Sequence, residues 1–317
     1  MVRKHTRRAA KAAFAISFGV ALLIGITACG GASHGGVDGA QKTLTSAKPT
    51  IVLGTKNFTE EYILGQLYGQ ALQAKGFKVQ YKGSFGSSEL ANTAIKSGKM
   101  NFYPEYTGII VLDLAGSKKF PPSAAATYKA AKAYEQKHGQ TLLKHTPFVD
   151  SDTFTMLTKT ANKLGVKKIS DLKKVKSFSY AAFPECKTRI TCLLGLKNVY
   201  KLKQVKFKAL GSISVYTLID KGQVTGGDGF TTDPQQSSSK YTELVDDKHI
   251  FGFQNVAPVV SQKLMNGKTG KEIAQISNQV SALLTISAMR AMDKAAYVQK
   301  AKPSEIASKF LKANGLK

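Results

Sequence analysis

A predominantly apolar stretch runs from Ala12 to Ile26, after which the chain settles into short apolar runs alternating with helix-spaced patterns. Ile51 to Gly54 reads as a buried strand. From Glu60 to Lys75, Tyr62, Ile63, Leu67 and Leu72 fall at near-helical spacing, with Thr59 as the expected N-cap. Phe77 to Tyr81 alternates like a strand, Ser87 to Ser97 reads as a helix, and Asn101 to Tyr103 as a further strand. The pattern continues with a helix over Ala124 to His138, strands at Thr153 to Leu157 and Phe178 to Ala182, a helix over Ile213 to Asp220 and a strand near Val224. Beyond Ile273 it is helical throughout, with Pro303 opening the last helix. Strands alternating with helices predict an α/β fold of two units followed by a helical tail.

The first apolar stretch belongs to a different category. Arg3, Lys4, Arg7, Arg8 and Lys11 precede it with no acid among them, and it ends before the roughly 20 residues a spanning helix needs. That layout predicts a secretory signal over 1–28. Ile26-Thr27-Ala28-Cys29 resembles the lipobox of bacterial lipoproteins, which implies lipidation of Cys29 and attachment of the exported protein to the membrane. The Gly-, Ala-, Ser- and Thr-rich segment 29–47 reads as a flexible tether.

The formal net charge is +26, from 46 Lys and Arg against 20 Asp and Glu. Such an excess raises the question of nucleic acid, but the lysines are spread along the whole chain and no zinc-finger or RNA-recognition spacing occurs. A solvated basic surface is the expectation, with no nucleic-acid partner. Cys186 and Cys192 remain besides Cys29; in an exported chain, with no His between them, they point to a disulfide rather than a metal site. G-x-S-x-G, H-E-x-x-H, P-loop and G-x-G-x-x-G signatures are missing, so no enzyme activity, catalytic residue, metal or cofactor is expected. Gly83 to Ser88, glycine- and serine-rich before a helix, has a backbone able to face an anion, though such stretches are more often turns with an N-cap.

Two segments carry a resemblance: Val52-Leu53-Gly54-Thr55-Lys56-Asn57-Phe58-Thr59-Glu60 and Tyr103-Pro104-Glu105-Tyr106-Thr107-Gly108. With Asp152-Thr153-Phe154, the loop from Pro184 to Leu194, Phe230-Thr231-Thr232-Asp233, Asn255-Val256-Ala257-Pro258 and the terminal Phe310 to Leu316, the chain resembles the substrate-binding proteins of the betaine, carnitine and choline ABC importers. The resemblance implies a two-lobed fold of the type II periplasmic-binding-protein kind, with two crossovers. One lobe would take 48–149 and 256–317 and the other 150–255. It also implies a monomer that hands its ligand to ABC permease and ATPase subunits.

The chemistry of a quaternary ammonium sets what such a cleft must offer. The cation has no N–H to donate, so electron-rich ring faces must replace its water. By resemblance the ligand residues are Lys56, Tyr106, Asp152, Phe154, Arg189, Phe230 and Gln254, with the rings and Asp152 serving the cation and Lys56 and Arg189 serving a carboxylate. Phe154, Phe230 and Gln254 replace the tyrosines of the family, and Ile109 stands where a hydroxyl residue is usual. The expectation is glycine betaine ahead of choline, because choline would leave Arg189 unpaired unless a water or an internal acid serves it. The alternative is an altered ligand in the same role: a polyol, an aromatic compound or an amino acid.

Overall fold

The structure, a computed structural model, describes residues 48–211 and 213–317. The signal segment, Cys29 and the tether lie outside the described residues.

In chain order the first part runs β1 (Ile51–Thr55), α1 (Thr59–Ala74), β2 (Val79–Ser84), α2 (Ser88–Lys96), β3 (Phe102–Tyr106) and α3 (Thr107–Ile109). A π turn over Ile110–Leu114 leads on to α4 (Ala124–Lys137) and β4 (Gln140–Leu142). A second part follows with β5 (Asp152–Leu157), α5 (Thr158–Leu164), β6 (Phe178–Ala182), α6 (Leu193–Asn198), β7 (Val205–Ala209), α7 (Val215–Asp220), β8 (Gly226–Phe230) and β9 (Tyr241–Leu244). The chain ends with β10 (Val256–Ser261), α8 (Gly267–Leu283), α9 (Ile286–Tyr297) and α10 (Pro303–Ala313).

Two five-stranded sheets result, ordered β2-β1-β3-β10-β4 and β7-β6-β8-β5-β9. They repeat one plan: four strands run parallel, and the one in the fourth position, by which the chain enters from the other lobe, runs antiparallel to its neighbours on both sides. The chain therefore passes between lobes twice, and the two passages pair with each other through the bridge Val149–Asn255 and the bond from Asp150 N–H to the Gln254 carbonyl at 3.1 Å.

Each sheet is covered on both faces. In the first lobe, Ile51, Leu53, Phe102 and Val260 face α1 and α8–α10, while Tyr103, Ala257 and Val259 face α2, the π turn and α4. In the second lobe, Phe154, Met156, Phe178 and Tyr180 form the larger core, and Ala181, Val215 and Ile219 close the other face.

Some elements depart from the expectations. Thr59 is the first residue of α1 rather than its N-cap; Phe58 holds the cap position in extended conformation and makes no side-chain cap bond. The strand expected near Val224 is β8, whose sequence Gly-Gly-Asp-Gly-Phe carries no strand signal. Its glycines answer crowding: a Cβ on Gly226 would meet the Phe154 ring at 2.6 Å, and one on Gly227 the Ala181 carbonyl at 2.7 Å. β10 was hidden by Pro258, which sits opposite Pro104 in the middle of the first sheet.

Candidate functional site

The cleft between the lobes is built where strands end. Both sheets direct the C-terminal ends of their parallel strands at it, which is where open α/β sheets generally bind ligands. From the segment after β1 come Lys56 and Phe58, from β3 Tyr106, and from α3 Ile109. The opposite wall supplies Asp152 at the start of β5, Phe183 and Arg189 after β6, and Asp228 and Phe230 from β8. Together they line a narrow space between the lobes, part of it open to solvent.

Three rings run across the cleft. Phe58 lies 6.1 Å from Tyr106 and 6.1 Å from Phe230, nearly parallel to the latter at 3°. Phe58 was not among the expected ligand residues, although it stands in the quoted segment beside Lys56. Its cap position on α1 turns the ring into the cleft and away from the helix.

Phe154 is placed elsewhere. It is fully buried in the second-lobe core, 4.8 Å from the Tyr180 ring and 5.8 Å from that of Phe178, and it does not line the cleft. Two residues along a strand is about 6.6 Å, so the side chain following Asp152 on the same face lies one layer behind the wall. Gln254 lines the cleft, but its amide serves the backbone. Its Oε1 accepts from Ile109 N–H at 3.0 Å and its Nε2 donates to the Phe251 carbonyl at 3.0 Å. It lies against Gly108, where a Cβ would come within 2.6 Å of its Oε1.

Among the described residues, the bases lining the cleft are Lys56 and Arg189, and both are held by acids of the protein itself. The Lys56 ammonium, 2% exposed, pairs with Glu105 and lies 3.5 Å from Glu61, with the Tyr106 ring centroid 3.9 Å away. Arg189 donates from Nε and Nη2 to the two oxygens of Glu89 at 3.0 and 3.1 Å. That pair joins the loop after β6 to the first turn of α2, and so one lobe to the other. Thr191 Oγ1 also donates to Asp113 at 2.6 Å, and Arg290 of α9 donates twice to the Thr231 carbonyl, at 3.0 and 2.7 Å, so these bonds too join the lobes. The loop carrying Arg189 is closed by the Cys186–Cys192 disulfide.

Acids dominate the remainder. Asp150, Asp152, Glu185 and Asp228 line the space, with Glu60, Asp233 and Asp293 close behind. Burial raises the pKa of Asp152, Asp228, Asp150 and Glu60, and for Asp228, Asp150 and Glu60 neighbouring carboxylates add to it. Asp233 is pushed up to about 6 by burial despite donors at 2.8 Å from Tyr216 Oη and Phe230 N–H. Glu89 behaves oppositely: burial would raise it, but the Arg189 guanidinium brings it down to about 2. Among the described residues no group of three His, Cys, Asp or Glu is arranged to hold a metal ion. Rings and buried carboxyl groups thus line the cleft, beside two bases that the protein's own acids hold.

Comparison with known proteins agrees with this geometry. Residues 49–313 match the family described as the substrate binding domain of the ABC-type glycine betaine transport system. The glycine-betaine-binding protein of Pseudomonas aeruginosa is 29% identical over 281 residues, covering 84% of this chain and 88% of that one. The carnitine transport binding protein of Listeria monocytogenes is 24% identical, covering 85% and 88%. A crystal structure titled as a glycine betaine/carnitine/choline ABC transporter superposes with a TM-score of 0.67 at 19% identity, over 84% of this chain and 99% of the other. The chain belongs to the family of substrate-binding domains of ABC-type glycine betaine transport systems.

Proposed function

We propose that the protein is the extracytoplasmic solute-binding component of an ABC importer and that it captures a small quaternary-ammonium compound of the betaine and choline class between its lobes. The observation that carries this reading is the run of ring faces Tyr106, Phe58 and Phe230 beside the carboxylates Asp152 and Asp228. Rings and negative potential replace the water that a trimethylammonium group loses, each ring contributing about 0.5–2 kcal/mol in a desolvated site. The ligand residues are then Tyr106, Phe58, Phe230, Asp152 and Asp228. Lys56 and Arg189 organise the wall, and Phe154 and Gln254 act through packing.

The work is capture and delivery. The open lobes admit the ligand, closure surrounds it, and the closed form is presented to the permease. Attachment through a lipidated Cys29, with 29–47 as the tether, would keep the protein at the membrane as a monomer. The altered-ligand alternative rests on Gln254 and Ile109; the Gln254 amide is committed to backbone partners, and Ile109 lines the cleft.

Calorimetric titration with choline, glycine betaine and carnitine, set against a polyol, an aromatic compound and a free amino acid, tests the ligand class. Binding confined to the quaternary ammoniums is expected. Binding of the neutral compounds alone would end the assignment. For the anchor, Cys29→Ser should move the protein out of the membrane fraction.

A further inference from the structure

We propose that Glu89 determines ligand specificity: its carboxylate holds the Arg189 fork in place of a ligand's carboxylate, so the cleft selects quaternary-ammonium cations without a carboxylate over zwitterions. The inference rests on the quaternary-ammonium reading and narrows it.

The geometry is that of an internal substitute. A guanidinium and a carboxylate match when two parallel N–H donors face two oxygens, and Nε and Nη2 of Arg189 face Oε1 and Oε2 of Glu89 in that manner. Glu89 sits in the first turn of α2, where the helix dipole also favours a negative charge. The free edge of the guanidinium gives a ligand carboxylate little, since Asp113 and Asp152 already bear on the same charge. Lys56 is no substitute, being held by Glu105 and Glu61 over the Tyr106 ring. A zwitterion entering this space would bring its carboxylate among Asp150, Asp152, Glu185 and Asp228 with neither base free to receive it. A quaternary ammonium alcohol brings only the charge that the rings and acids suit.

Glu89 keeps a partly exposed side chain, so a ligand carboxylate can displace it into water at a cost. Discrimination is therefore graded, and it is read as a ratio of affinities. The ratio also removes any effect of the pair on lobe closure, which acts on both ligands alike.

The experiment titrates choline and glycine betaine into the wild type and into Glu89→Ala, Glu89→Gln and Glu89→Asp, with a circular-dichroism melt of each variant. The wild type is expected to bind choline at least roughly tenfold more tightly than glycine betaine. Glu89→Ala and Glu89→Gln free the fork and should lower that ratio by about tenfold or more, while Glu89→Asp retains the wild-type order. Tighter binding of glycine betaine by the wild type, or an unchanged ratio in both Glu89→Ala and Glu89→Gln, overturns the proposal alone. A wild type that binds neither ligand overturns the quaternary-ammonium reading and this proposal with it.

Discussion

Arg189 and Glu89 face each other across the cleft, one on each lobe, through two hydrogen bonds of 3.0 and 3.1 Å. The Arg189 expected to serve a ligand carboxylate is thus already served by the protein. The ground for ranking glycine betaine above choline was the cost of an unpaired arginine, and that cost does not arise here. Arg189→Ala should accordingly weaken choline and glycine betaine by similar factors, through lost closure. Fully exposed pairs are worth up to about 1 kcal/mol after screening, so for this part-buried pair a loss of about fivefold or more is expected. Titration at low and high salt should show the wild-type advantage shrinking as salt rises.

The two kinds of phenylalanine in this region should separate experimentally. Phe58→Ala and Phe230→Ala each remove a cleft ring and should weaken choline by about 1–2 kcal/mol, with little loss of stability. Phe154→Ala opens a void in the second-lobe core and should cost about 3–5 kcal/mol of stability by urea denaturation. Phe154→Leu refills most of that void and should leave ligand affinity within a factor of about two.

Lys56 is held by two buried acids of its own lobe, Glu61 and Glu105. Lys56→Met would leave Glu61 and Glu105, both fully buried, without their cation. Removing one partner of a buried pair costs about 3–5 kcal/mol, so a marked drop in melting temperature is expected. Adding Glu105→Gln to that variant should recover part of the loss. A single variant as stable as the wild type would show that the lysine is not needed where it sits.

Stability and affinity should move oppositely with pH. Glu61 and Glu135 are pushed up to about 7, and Asp113 and Asp233 to about 6, chiefly by burial. Unfolded carboxylates titrate near pH 4, so between about pH 4 and 7 the folded protein binds more protons than the unfolded chain. Its stability is greatest below that window and falls as pH rises through it. Glu89, lowered to about 2, loses its contribution only below the window. The melting temperature should be higher at pH 5 than at pH 8, while choline affinity should rise over the same interval as Asp152, pushed up to about 7 by burial, ionises.

The loop carrying Arg189 should respond to reduction. Cys186 and Cys192 enclose a short loop, and cutting it costs about 2 kcal/mol on the chain-entropy estimate. Replacing both cysteines by serine should lower stability by about that amount and weaken ligand, since Arg189 would lose its fixed approach to Glu89.

Much of the architecture was legible because it follows local rules. The helix spacing at Tyr62, Ile63, Leu67 and Leu72 gave α1 to within a residue at each end, and the runs at Ile51 and Phe178 gave the central strands β1 and β6. The segments around Lys56 and Tyr106 marked one wall of the cleft, since the chain places both at strand ends by local connectivity alone. β8 and β10 were harder, because their residues answer to neighbours distant in sequence: Gly226 to the Phe154 ring, and Pro258 to its position opposite Pro104. The roles within the cleft required the tertiary structure for the same reason. A basic residue in a sequence has no partner until the fold supplies one, and Glu89 lies 100 residues from Arg189, on the other lobe. Pattern determined that this chain is an α/β protein of two units with a helical tail, and the family resemblance carried the two lobes and the rings and charges of the cleft. Long-range packing decided which of those charges are left for a ligand, because pairing energy depends on distance in space and not on separation along the chain.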